Sequence, residues 1–144
     1  MKTIHDILKE KGDAIWSIGP DETVLEALWL MAEKNIGAVL VMEEGKIVGI
    51  LSERDYARKV VLKGKASGDT RVREIMTDKV LVVHANRSVE DCMALMTSSR
   101  VRHLPVLDGG QVAGVLSIGD VVKAVIADQQ FTIEQLSTYI SGNR

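Results

Sequence analysis

The stretch Gly49-Ile50-Leu51-Ser52-Glu53-Arg54-Asp55 returns 65 residues later as Gly114-Val115-Leu116-Ser117-Ile118-Gly119-Asp120. Extended without a gap, the overlay sets residues 16–56 on 81–121, with nine identities in 41 positions. Besides those in the quoted stretch, Val24, Leu30, Met31, Val41 and Gly45 meet Val89, Leu95, Met96, Val106 and Gly110. Two such copies predict an α+β protein of two β-α-β-β-α repeats. One repeat alone leaves a sheet face uncovered, so the two are expected to pack sheet to sheet about a pseudo-twofold axis.

Each copy opens on a short run of β-formers, Ala14-Ile15-Trp16-Ser17-Ile18 and Val80-Leu81-Val82-Val83, which predict strands. Thr23 and Ser88 then serve as N-caps, each with an acid three residues on. The apolar stripes at 24, 27, 28, 31 and at 89, 92, 93, 96 predict amphipathic helices. Two further apolar runs flank Glu43-Glu44-Gly45 in one copy and Asp108-Gly109-Gly110 in the other, the pattern of a hairpin. A second helix follows from each Ser-x-x-Asp tetrad, through Lys63 in the first copy and about Asp128 in the second. Residues 1–66 form repeat 1, 67–128 repeat 2, and 129–144 a helical tail opened by the capping box Thr132-Ile133-Glu134-Gln135. That tail is expected to pack on the repeats or on a second chain. Lys63 to Arg71 reads as an exposed connector.

Composition narrows the function. With 46% apolar and 26% charged residues and no apolar run near the length of a membrane span, the chain is expected to be cytoplasmic. Acid at Asp6 comes too early for a secretory signal. The first 71 residues carry 11 basic and 12 acidic side chains and the rest 7 and 8, so neither half offers a basic nucleic-acid surface. The lone Cys92 excludes an internal disulfide and a multi-cysteine zinc site, and its helical spacing with Val89, Met93 and Met96 makes it a packed core thiol. His5, His84 and His103 lie in three separate elements without a metal spacing or a nucleophile motif. No catalytic or metal-binding residue is expected.

Ser-x-x-Asp is a capping box even when nothing binds. Two neighbours extend its meaning. Gly49 and Gly114, three residues ahead of the serines, leave room for a group to approach the backbone. The helix N-terminus offers free N–H groups and a positive dipole end to an anion, and an Asp beside it accepts from two vicinal ribose hydroxyls. Together these describe a nucleotide site. Arg100 and Arg102, two apart before the strand that begins at His103, are expected to project to one side and present fixed donors to phosphate. The first repeat has Asn35 and Gly37 there, while its tetrad carries Arg54 where the second has Gly119. Such complementary placement suits two half-sites sharing an anionic ligand. The bland alternative is a set of solvated surface charges.

The run from Arg102 through His103, Pro105 and Gly110, followed by Gly114 to Asp120, resembles the signature of the CBS domain, named after cystathionine β-synthase. Gly37-Ala38-Val39-Leu40-Val41 with Gly49 to Asp55 is similar, departing at Gly37, Ala38 and Leu40. The resemblance covers residues 4 to about 128. It implies a stand-alone CBS pair, or Bateman module, whose clefts between the paired repeats bind adenosine-type ligands such as AMP, ADP, ATP, NAD or S-adenosylmethionine, and which forms a homodimer of pairs. Carried over by residue, Asp55 and Asp120 would hold ribose hydroxyls and Ser52 and Ser117 would contact phosphate, neutralised by Arg54, Arg100 and Arg102. Gly37, Ala38, Thr77, Lys79 and Val80 would flank the base, with His103 and Pro105 as further candidate contacts. The Ser117–Asp120 cleft is expected to be the stronger phosphate site. The module would regulate a separate protein or its own oligomer; the alternative is an assembly module that binds no ligand.

Overall fold

The structure is a computed structural model that describes residues 3–12 and 14–140. It is α+β, with two three-stranded sheets of identical topology. In chain order the elements are α1 (Ile4–Lys11), β1 (Ser17–Ile18), α2 (Val24–Lys34), β2 (Ala38–Glu43), β3 (Lys46–Ser52), α3 (Glu53–Tyr56) running into a π-helical turn (Ala57–Val61), and α4 (Val72–Ile75). The second half continues with β4 (Val83–His84), α5 (Val89–Ser99), β5 (His103–Asp108), β6 (Gln111–Ser117) and α6 (Ile118–Ile140). Both predicted β-α-β-β-α repeats are present, and each sheet pairs its first two strands parallel and its last two antiparallel.

The duplication reaches backbone detail. Each hairpin turns through two residues with positive φ, Glu44 at 52° and Gly45 at 77° in one and Gly109 at 61° and Gly110 at 82° in the other. That is the twist a two-residue hairpin loop needs. Register shifts fall at Val41/Met42 and at Val106/Leu107, again equivalent positions. Helices α2 and α5 bury Val24, Ala27 and Met31 and Val89, Cys92 and Met96, the predicted stripes, and both end on a left-handed residue, Asn35 and Arg100.

The compact units cut across the sequence repeats. Trp16–Val80 forms one unit; the chain up to Ile15 joins the chain from Leu81 onward in the other. The physical reason is α1, which the apolar pattern left unread. Thr3 and Asp6 make a capping box, and Ile4, Ile7 and Leu8 enter the core of β4, β5, β6 and α5. Helix α4 does the same for the first unit by burying Val72 and Ile75. Two expectations about secondary structure need correction. The opening strands are only two residues long, and in the second repeat the strand starts at Val83. Leu40 donates its N–H to the Trp16 carbonyl at 3.4 Å, but its counterpart Pro105 has no N–H to give. Nor does a new helix begin at Thr132. Helix α6 is continuous through 23 residues, because no Gly or Pro interrupts it after Gly119 and the Thr132 hydroxyl donates to the Asp128 carbonyl at 3.0 Å instead of capping. From 129 to 140 that helix is exposed throughout, so those residues of the tail do not pack on the repeats; residues 141–144 of the expected tail lie outside the described residues.

The connector is mostly exposed, as expected, and it is tied to α2. The carbonyls of Ser67 and Thr70 accept from Leu25 and Val24 N–H at 3.0 and 2.8 Å, satisfying donors in the first turn of α2, and Thr70 is buried.

Candidate functional site

Both tetrads are capping boxes, and their serines end the third strand of each sheet. In the first unit Ser52 N–H donates to Asp55 Oδ2 at 3.0 Å and Asp55 N–H to Ser52 Oγ at 3.2 Å. The Ser52 hydroxyl itself donates to Asp55 Oδ2 at 3.1 Å. Asp55 Oδ1 accepts from the Thr77 hydroxyl at 3.2 Å and pairs with Lys59 Nζ at 3.1 Å. A carboxylate has about four acceptor sites, and these four donors fill them. Lys59 is fixed in turn on the Ile75 carbonyl at 3.0 Å.

Thr77 reaches Asp55 because it extends the sheet. Its N–H and carbonyl exchange bonds of 2.9 Å with Ile50, beside Gly49. A Cβ on Gly49 would lie 2.6 Å from Met76 Sδ and 3.0 Å from the Thr77 carbonyl oxygen, so the group that approaches this glycine is the protein's own chain.

The second unit answers with different chemistry. Ser117 N–H donates to Asp120 Oδ2 at 2.9 Å and Asp120 N–H to Ser117 Oγ at 3.2 Å. Here the cation comes from α1. Lys11 Nζ donates to Asp120 Oδ2 at 2.7 Å and to the Val115 carbonyl, the counterpart of Ile50, also at 2.7 Å. Leu8 from the same helix covers Gly114, with Cδ2 2.8 Å from where a Cβ would lie. Burial raises the Asp120 carboxyl, but the Lys11 ammonium and the Ser117 bonds outweigh it and hold the group below its ordinary value. Among the described residues no hydrogen bond is recorded at Asp120 Oδ1, while the Ser117 hydroxyl adds to the hold on the Asp120 carboxylate.

The remaining candidates distribute as follows. Gly37 lies against α3, its carbonyl accepting from Glu53 N–H at 3.0 Å, and Ala38 pairs with Ser52 across the ladder. In the second repeat the Arg102 carbonyl accepts from Ile118 N–H at 2.8 Å and His103 pairs with Ser117, so both stand at the head of α6. Pro105 is buried in β5. Lys79 is exposed and Val80 half-buried, both past the end of the Thr77 bridge. Arg54 is exposed on α3. The strand geometry expected for Arg100 and Arg102 does not hold. Arg100 is the left-handed C-cap of α5 with φ 55°, and Arg102 precedes β5, so the alternation of a strand does not orient the pair. Burial pushes the Cys92 thiol up to about 11, as befits a packed side chain.

Sequence reasoning missed Lys11 and Lys59. Lys59 was readable four residues after Asp55 on one helix face. Nothing local marks Lys11, which lies 109 residues from its carboxylate.

The profile of the CBS domain matches residues 4–62 and 72–127. The chain belongs to the CBS-domain family. CBS domain-containing protein CBSX3, mitochondrial, of Arabidopsis thaliana is 39% identical over 97% of this chain and 72% of its own. The crystal structure of the CBS domain NE2398 superposes with a TM-score of 0.83 at 56% identity, covering 87% of this chain and 98% of that one. The CBS domain pair of MJ0100, crystallised in complex with 5′-methylthioadenosine and S-adenosyl-L-methionine, shares the CBS-pair fold at TM-score 0.78 and 24% identity, covering 89% of this chain and 98% of that one. Among the described residues no helix is long and apolar enough to cross a membrane.

Proposed function

We propose that this CBS pair is a cytoplasmic regulatory sensor that binds an adenosine-type nucleotide, AMP, ADP, ATP or NAD, at the Ser117–Asp120 tetrad. The observation that carries the reading is the unfilled oxygen of the Asp120 carboxylate. Asp120 keeps that oxygen for a ribose hydroxyl, and the Ser117 hydroxyl stands at the N-terminus of a long helix, where a phosphate oxygen would meet it. Arg102 and His103 stand beside it. The adenosine compounds bound to MJ0100 support the ligand class. At the first tetrad Ser52 and Asp55 act chiefly as structure, since a ribose there must displace Thr77 or Lys59. Gly37, Ala38, Lys79, Val80, Arg54 and Arg100 contribute less to binding than the four residues at the head of α6.

The module performs no chemistry on the nucleotide. Occupancy shifts the packing of a homodimer, in which exposed Phe131, Ile133, Leu136 and Tyr139 of α6 offer apolar contact area, and so acts on a regulated partner. A second reading, assembly without ligand, is favoured by the filled Asp55 box, whose carboxylate is met entirely by the protein's own donors. Thermal unfolding with AMP, ATP and NAD separates the two. A ligand that binds only the folded state at 100 times its Kd adds about 2.7 kcal/mol. An unchanged Tm with all three at millimolar concentration leaves only the assembly reading.

A further inference from the structure

We infer that Lys11 is a ligand-contacting residue of the Ser117–Asp120 site, where its ammonium and the Asp120 carboxylate together read a ribose hydroxyl as donor and as acceptor. This rests on the nucleotide reading above and names a specificity residue within it. An ammonium has three N–H donors and a hydroxyl both gives and takes a hydrogen bond. Lys11 spends two donors on Asp120 Oδ2 and the Val115 carbonyl, each at 2.7 Å, and those bonds fix its nitrogen beside the carboxylate. Its third N–H and Asp120 Oδ1 have no recorded partner among the described residues, so the cation keeps one donor and the anion one oxygen at the same place. The side chains stay reachable, at 39% and 24% exposure.

The first unit lacks this pair. At the carbonyl equivalent to Val115, that of Ile50, the donor is the Thr77 backbone N–H, and the local cation Lys59 sits on a carboxylate already filled. A hydroxyl arriving there finds neither half. Lys11 therefore makes one tetrad of the two selective for a ribose, and it does so from a helix outside the overlaid segments 16–56 and 81–121.

Calorimetric titration of the full chain with AMP, 2′-deoxy-AMP and 3′-deoxy-AMP tests this in wild type, Lys11→Met and Lys11→Arg. Methionine keeps the methylene packing and removes the charge; circular dichroism and urea unfolding establish that each variant is folded. Wild type is expected to lose about tenfold or more in affinity when the contacted hydroxyl is absent, the effect of one lost hydrogen bond to a charged group. Lys11→Met should bind AMP about tenfold more weakly with most of that deoxy penalty gone, and Lys11→Arg should recover part of both. A Lys11→Met variant that keeps the wild-type affinity and penalty, or that binds AMP more tightly because the lysine was a plug, overturns the inference while leaving nucleotide binding intact. A wild-type chain that binds none of the three overturns the nucleotide reading and the inference with it.

Discussion

At Ile50 and Val115, the same position in the two repeats, a strand carbonyl meets a backbone N–H in one unit and a lysine ammonium in the other. The two carboxylates downstream share a motif, a capping geometry and a fold. They differ in their neighbours: Asp55 is closed by Ser52, Thr77 and Lys59, and Asp120 is left half open beside Lys11. A duplicated motif thus fixes local backbone structure, while residues outside the overlaid segments, Thr77 in one unit and Lys11 in the other, set how many acceptor positions of the carboxylate are filled.

If that contrast is right, the first tetrad matters more for stability. Asp55→Ala strands the Ser52 N–H, the Thr77 hydroxyl and the Lys59 ammonium, and should cost about 2–3 kcal/mol in urea unfolding. Asp120→Ala removes a cap and one partly exposed ion pair and should cost about 1 kcal/mol. Equal costs would erase the distinction.

The glycines sharpen the same comparison. Gly49→Ala must move a backbone carbonyl as well as Met76, for about 1–3 kcal/mol by chemical denaturation. Gly114→Ala meets only the end of the Leu8 side chain, which can rotate away, and should cost less than about 1 kcal/mol.

Acid titration isolates the Lys11 pair. Asp120 lies below the ordinary carboxyl value of 3.8 because the Lys11 and Ser117 bonds outweigh the upward push of burial. A depressed carboxyl stabilises fully above its unfolded value, and that contribution fades as pH falls through the folded value. Lys11→Met should flatten this loss below about pH 4 in stability curves measured at several pH values.

The smallest effect lies in the hairpins. Glu44 holds φ 52° where the second repeat has Gly109, so Glu44→Asn, a residue tolerant of that region, should raise stability by about 0.5 kcal/mol. Gly109→Glu should lower it by a similar amount or more, and thermal melts read both.

Much of this was legible in the chain. The stripes of α2 and α5, both hairpins and both capping boxes follow from spacing between near neighbours. What escaped depends on distance. The α1 box at Thr3 and Asp6 is visible in sequence, but its docking with β4, β5 and β6 is set by Ile4, Ile7 and Leu8 meeting a core far along the chain. The left-handed cap at Arg100 hid behind a side chain read for its charge. Thr132 looked like a helix start because a capping hydroxyl and a back-bonding one have the same sequence. Gly49 and Gly114 signalled close approach correctly, and the partners proved to be Met76, Thr77 and Leu8.

The central claim is that one tetrad of two binds. Isothermal titration of AMP into wild type, Asp55→Ala and Asp120→Ala, each first shown to be folded, tests it directly. Wild type is expected to bind at one site per chain, Asp55→Ala at one site of similar affinity, and Asp120→Ala at none. Two equal sites in wild type, or binding lost in Asp55→Ala and kept in Asp120→Ala, would contradict it.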